Sequence, residues 1–159
     1  MFDKIYKILG LVRSKDDKYS ELRSFLLFAD LNPYEMYQVS NICHKRSYAK
    51  NEQVFDKGFP LEAVFFILNG EIELTGSTQP GGQRRLGKGE QIGLIDLFYK
   101  PIRQSKAIAI KETNLLAVSR EDFLDLVARN PRLGVKILST CCKLLSTHVF
   151  DLAGTGEEQ

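Results

Sequence analysis

The sequence has little of what metal and catalytic sites are usually built from. It holds two histidines, His44 and His148, and three cysteines, Cys43, Cys141 and Cys142. No Cys-x-x-Cys pair occurs, so a zinc site lacks its ligand spacing and no metal is expected. Neither histidine has a serine or cysteine partner suggested by spacing. No catalytic constellation emerges, and the chain is not expected to be an enzyme. Cys141 and Cys142 are neighbours on a predicted helix and point in different directions, which disfavours a bridge between them. The three thiols read as reduced and buried, as in a cytoplasmic protein. No apolar run approaches the roughly 20 residues of a membrane span. Charge of one sign is also missing: 22 Lys and Arg stand against 20 Asp and Glu, a net charge of +2. The densest basic runs, "HKR" at 44–46 and "QRR" at 83–85, read as a solvated strand end and a hairpin tip. Nucleic acid asks for a clustered basic face, so neither nucleic acid nor membrane is expected as a partner. "GKG" at 87–89 lacks the spacing of a phosphate-binding loop and reads as a turn.

What is present is a soluble-protein composition, 159 residues with 43% hydrophobic and 26% charged side chains, enough for one domain with a core. Residues 1–20 read as an amphipathic helix, with Phe2, Ile5, Leu9 and Val12 at helical spacing, followed by a charged connector. "ELRSFLLFADL" (21–31) reads as a second helix. Asn32, Pro33 and Glu35 form a helix start: an N-cap, a first-turn proline and a first-turn carboxylate.

The period then changes. "KRSYA", "QVFDKG" and "AVFFILNGEIELTG" are short, rich in β-branched and aromatic residues, and punctuated by glycine. Asn69-Gly70 is a strong hairpin signal. "STQPGGQ" and "LGKGEQIG" turn again, and "AIAI" and "NLLAV" flank the turn "KET". About eight such strands imply a mainly β fold, a barrel or jelly roll. Helices return with Ser119 and Asp122 as a capping pattern and Pro131 as a helix opener. The last helix is expected from about Pro131 to Leu152. On it Val135, Leu138, Cys142, Leu145, Val149 and Leu152 alternate in spacings of three and four, and Ile137 and Leu144 form a second stripe. Periodicity alone leaves two readings open, a dimer helix and a buried core helix. Residues 153–159 read as a flexible tail.

"EQIGLIDLFYKPIRQSKAIAI" (90–110) combines a glycine turn at Gly93, a short apolar segment and one arginine, Arg103. In this order of parts, from about Phe25 to Val149, the chain resembles the cyclic-nucleotide-binding domain family. "YAKNEQVFDKGFPLEAVFFILNGEIEL" is similar to its signature run, with Gly58 and Gly70 at the two glycines. "LGKGEQIG" is similar to the entry of its phosphate-binding cassette, and "FYKPIRQSKAIAI" to the exit. The resemblance implies a double-stranded β-helix with flanking helices. It also implies a ligand site at Ile92, Gly93, Leu94, Ile95, Arg103, Gln104 and Ser105, with Arg103 matching the arginine that pairs with the cyclic phosphate. The ligands implied are cAMP, cGMP or another small organic anion.

One departure bears on the ligand. In the family a glutamate directly after the glycine accepts from the ribose 2′-hydroxyl, and here that position is Leu94. A buried hydroxyl without a partner costs on the order of 1–3 kcal/mol. Weak or altered nucleotide binding is therefore expected, and Leu94 beside Arg103 would suit an anion with an apolar body. Asp96, two residues on, would compete with phosphate at the helix start. An ion pair of Arg103 with Asp96 or Glu90 on the surface is the competing reading. The functional expectation is a sensor module of residues 21–152, a homodimer through its last helix. The alternative is a degenerate interaction or dimerisation module that keeps the fold only. Because the chain stops soon after Leu152, it is expected to stand alone, without a helix-turn-helix domain.

Overall fold

A computed structural model describes residues 18–76, 82–99 and 101–154. The amphipathic helix read in the first segment falls outside them, apart from the end of its connector. Eight strands form two antiparallel four-stranded sheets among the described residues. They are β1 (Cys43–Tyr48), β2 (Gln53–Phe55), β3 (Ala63–Asn69), β4 (Glu71–Thr75), β5 (Gln83–Gly87), β6 (Gln91–Ile92), β7 (Lys106–Ala109) and β8 (Thr113–Ser119). Pairing is nested: β1 with β8, β2 with β7, β3 with β6, β4 with β5. This is a long hairpin rolled on itself, the jelly roll expected from the strand count. The sheet orders are β1-β8-β3-β6 and β2-β7-β4-β5.

Strands β3 and β8 lie in the middle of the first sheet and are buried on both faces, which is why "VFFI" and "LLAV" read as unbroken apolar runs. Alternate residues serve two cores. Phe65, Ile67, Leu115 and Ala117 face the roll with Ile72, Leu86, Ile92 and Ala107. Val64, Phe66, Leu116 and Val118 face the helices with Phe25, Phe28, Met36, Phe123, Leu133 and Ile137. Phe66 meets Phe25 and Phe28 at ring separations of 5.2 and 5.0 Å.

Two expectations are corrected here. Residues 21–31 do not form one helix. α1 (Ser20–Arg23) stops early, Phe25 is extended, and a 3-10 turn spans Leu26–Phe28. The break lets Leu22, Phe25, Leu27, Phe28 and Leu31 all reach the core, which one straight helix face would not allow. Asn69-Gly70 does not close a hairpin either. β3 pairs with β6 and β8, whereas β4 pairs with β5 and β7, so the turn carries the chain from one sheet to the other. Gly70 has φ +88°, and a Cβ there would lie 2.5 Å from the Glu112 carbonyl, so the crossing depends on glycine.

The helix starts agree with the sequence. α2 (Pro33–Asn41) carries a full capping box: the Glu35 amide donates to Asn32 Oδ1 (2.9 Å) and the Asn32 amide to Glu35 Oε2 (2.8 Å). After the cassette helix α3 (Asp96–Tyr99), α4 (Arg120–Arg129) starts at Ser119, whose Oγ accepts from the Asp122 amide (3.0 Å). α5 (Pro131–Gly154) runs two residues past the expected end.

Candidate functional site

The cassette begins where β6 ends. Gly93, at φ +87°, turns the chain, the Leu97 amide closes the turn on the Gly93 carbonyl (3.0 Å), and α3 follows. The returning segment is stitched to the loop before β3. The Arg103 amide donates to the Phe59 carbonyl (2.8 Å), the Gly58 amide to the Arg103 carbonyl (2.9 Å) and the Leu61 amide to the Pro101 carbonyl (2.9 Å). Ile102 bridges Pro60. These backbone ties fix the direction of the Arg103 side chain, which points inward and is only 4% exposed.

The surface ion-pair reading of Arg103 is thereby overturned. Glu90 is taken by Arg84 (3.4 Å) and by the Gly87 amide (2.8 Å). Arg103 Nη2 donates to the Ala63 carbonyl (2.5 Å), while Nε and Nη1 are buried and donate to nothing among the described residues. The guanidinium carbon lies 4.0 Å from the centre of the Phe55 ring and 5.2 Å from that of Phe65. The two rings are nearly parallel, 6.1 Å apart. Cation–π attraction offsets part of the desolvation of the cation. Burial pushes the guanidinium down to about 10, opposed by the charges of Asp96 and Glu62 and by Tyr48. It stays cationic at neutral pH.

Of the seven expected site residues, the fold brings Gly93 and Arg103 into direct approach. A Cβ at Gly93 would fall 2.7 Å from Arg103 Nη1. Ile92 is buried in the roll core, paired in register with Phe65. Leu94 is 4% exposed but belongs to the helix-facing core with Leu61, Leu97, Ile137 and Cys141. Its side chain thus packs with the helix-facing core rather than with the roll core that holds Phe65. Ile95 is exposed on the outer surface. Gln104 turns its amide back to the Ile102 carbonyl (2.9 Å), and Ser105 is half-buried. Sequence reasoning missed Phe55, Phe65 and the Ala63 carbonyl. Aromatics in strands read as core, and only closure of the roll places these beside a cation.

α5 uses both stripes read from its sequence. Leu133, Ile137 and Cys141 are buried against the domain. Val135, Leu138, Cys142, Leu145 and Val149 are exposed (the Leu152 side chain lies outside the described part). Between α3 and α5 runs a cavity of about 220 Å³ lined by Leu94, Ile95, Phe98, Leu144 and Leu145 among others. Among the described residues no group of His, Cys, Asp and Glu could hold a metal, and no helix is long and apolar enough to cross a membrane.

Comparison with known proteins agrees with this geometry. Residues 45–130 match the family model described as Cyclic nucleotide-binding domain, more than half of the chain. The Cyclic AMP receptor protein of Thermus thermophilus is 34% identical over 109 residues, covering 66% of this chain and 50% of the relative. A lysophospholipase of Neurospora crassa is 31% identical over 106 residues, 65% of this chain and only 7% of that protein. This chain thus spans half or less of these relatives. The crystal structure of the N-terminal domain of a transcriptional regulator from Streptomyces coelicolor superposes with a TM-score of 0.68 at 22% identity, covering 84% of this chain and 95% of that one. With its nested eight-strand roll, its glycine-turned cassette and its inward arginine, this chain belongs to the cyclic-nucleotide-binding domain family.

Proposed function

We propose that the chain is a non-enzymatic sensor module, with residues 21–152 as the working unit and a small organic anion such as cAMP or cGMP bound at Arg103. The carrying observation is the buried guanidinium with two nitrogens, Nε and Nη1, that meet no acceptor among the described residues. Burying a cation without full pairing costs several kcal/mol, and an anion bound there would recover much of it. Gly93 supports the same reading, since its bare backbone leaves room against Nη1. The Cyclic AMP receptor relative carries that name for its own ligand, and it motivates the first probe. Binding would order the cassette and be felt by α5, whose Leu144 and Leu145 border α3.

A cytoplasmic setting fits three unbridged thiols, although they are not all buried as expected: Cys142 is exposed and Cys43 partly buried. Burial pushes Cys43 up to about 12 and Cys141 up to about 11, so both stay protonated and inert. A partner for α5 is read as a second copy of the chain, because its outward stripe is apolar at heptad spacing.

Calorimetry with cAMP, cGMP and small organic acids tests the site. Arg103→Ala should weaken binding at least about tenfold, the loss expected for a charge-assisted contact. Silence with every probe in the folded wild type would leave the second reading, an interaction module that keeps only the fold. That reading is favoured by one observation: the residue after Gly93 is a leucine committed to the helix-facing core.

A further inference from the structure

Two large apolar side chains of the cassette are left open to solvent among the described residues. α3 buries Leu97 in the helix-facing core, but Phe98 and the preceding Ile95 are 48% and 46% exposed. Both border the cavity of about 220 Å³ between α3 and α5, whose far wall includes Leu144 and Leu145. A contiguous apolar groove of this kind marks a docking surface. The outward stripe of α5 does not account for it. That stripe runs through Val135, Leu138, Cys142 and Val149, on a neighbouring face of the helix, and only Leu145 borders both surfaces.

The chain itself supplies a cover. Residues 1–17, outside the described part, carry Phe2, Ile5, Leu9 and Val12 at helical spacing, which makes one apolar stripe. The point where this segment joins the domain is fixed. Tyr19 packs against the same helix-facing core as Leu68 and Leu144. Its neighbour Ser20 lines a hollow together with Leu68 and Lys88. Lys88 is followed closely by Gln91, which lines the groove between α3 and α5. The chain from Lys88 to Gln91 spans at most about 11 Å. The segment therefore enters one hollow away from the groove. As a helix it would run about 25 Å, enough to lay its stripe across the groove.

We propose that residues 1–17 dock as an amphipathic helix in the groove between α3 and α5, with Phe2, Ile5, Leu9 and Val12 on Ile95, Phe98, Leu144 and Leu145. The segment is then an intramolecular strap that ties the cassette helix to the last helix. A helix of this length is marginal alone in water, and the groove supplies the burial that holds it. Once it is docked, α3 and α5 cannot part without exposing the stripe. The proposal does not depend on what Arg103 binds.

The test is hydrogen exchange on the full chain, read by peptide mass spectrometry, in the wild type, in Ile5→Glu with Leu9→Glu, and in Phe98→Ser. Residues 2–12 should be protected in the wild type. The double variant should exchange at least about tenfold faster over 2–12, and faster over 95–98 and 144–148, as expected when large apolar side chains lose their burial. Phe98→Ser should release residues 2–12 while β3 and β8 stay protected, which separates loss of the strap from unfolding; should Phe98→Ser unfold, the double variant decides alone. The wild type is also measured over a wide series of protein concentrations. Constant protection of 2–12 supports the strap, and protection that rises with concentration makes the cover a second copy and overturns it. Residues 2–12 that exchange as free chain in the wild type, or a groove whose exchange the double variant does not change, would overturn it as well.

Discussion

A guanidinium at 4% exposure is an uncommon residue to find with two unused donors. Nothing in the identity of Arg103 forces this. The side chain is aimed by the backbone bonds of 101–103 to 58–61, and held by one carbonyl and one aromatic face. Gly93 is the other half of the arrangement. Gly93→Ala would need a left-handed φ, at about 1–2 kcal/mol, and would push its methyl into Nη1. The expected outcome is a lower midpoint in urea together with weaker cAMP binding. Unchanged values for both would mean that the guanidinium does not depend on that turn.

At the scale of elements, the helices around the roll are held by specific polar ties as well as by burial. Glu35 of α2 accepts from Lys136 of α5 (2.7 Å), and Gln38 of α2 donates to Asn130 (3.1 Å) at the α4–α5 junction. Burial alone would raise the Glu35 carboxyl, but the Lys136 bond, the Asn32 amide and the Lys136 charge outweigh it, and the net shift is downward from 4.5. A carboxyl lowered in the folded state stabilises it above the unfolded value and loses that effect as pH falls through the folded value. Stability is therefore expected to decline below about pH 4.5 through this group. Glu35→Gln keeps the capping-box geometry and loses the ionic bond. It should cost about 1 kcal/mol near neutrality and show a flatter acid limb in denaturation series at stepped pH. An acid limb as steep as that of the wild type would rule out the pair as its source.

The same scale explains what could be read in advance. Caps at Asn32 and Ser119 and the opener Pro131 are local signals, and each starts a helix where it should. The segment 21–31 is a failure of local reading. Its helix propensity is good, but burying both Phe25 and Phe28 against Phe66 outweighs a continuous helix. Asn69-Gly70 fails for a related reason. The dipeptide makes a tight turn, but which strands pair is set by the partners available to each, and β8 and β5 lie in different sheets.

For the whole molecule, the outstanding surface feature is the outward stripe of α5. Val135 and Val149 are 65% and 61% exposed. If a second copy covers the stripe, Val149→Glu places a charge in the interface and should convert a dimer to monomers in sedimentation experiments. The melting temperature of the monomer should hardly move, because Val149 is 61% exposed and a surface substitution there has little burial to lose. A wild type that sediments as a monomer at tens of micromolar would end the homodimer reading.

The sequence by itself determined the strand-rich middle, the flanking helices, the glycine turn at Gly93 and the single arginine of the stretch 90–110, because periodicity, caps and turns are properties of neighbouring residues. Only the tertiary structure decided that Arg103 points inward onto Phe55 and Phe65, that Leu94 belongs to the helix-facing core, and that α5 buries Ile137 while exposing Val135. These depend on residues brought together across the closed roll, and a side chain cannot be assigned to one of two cores until both cores exist.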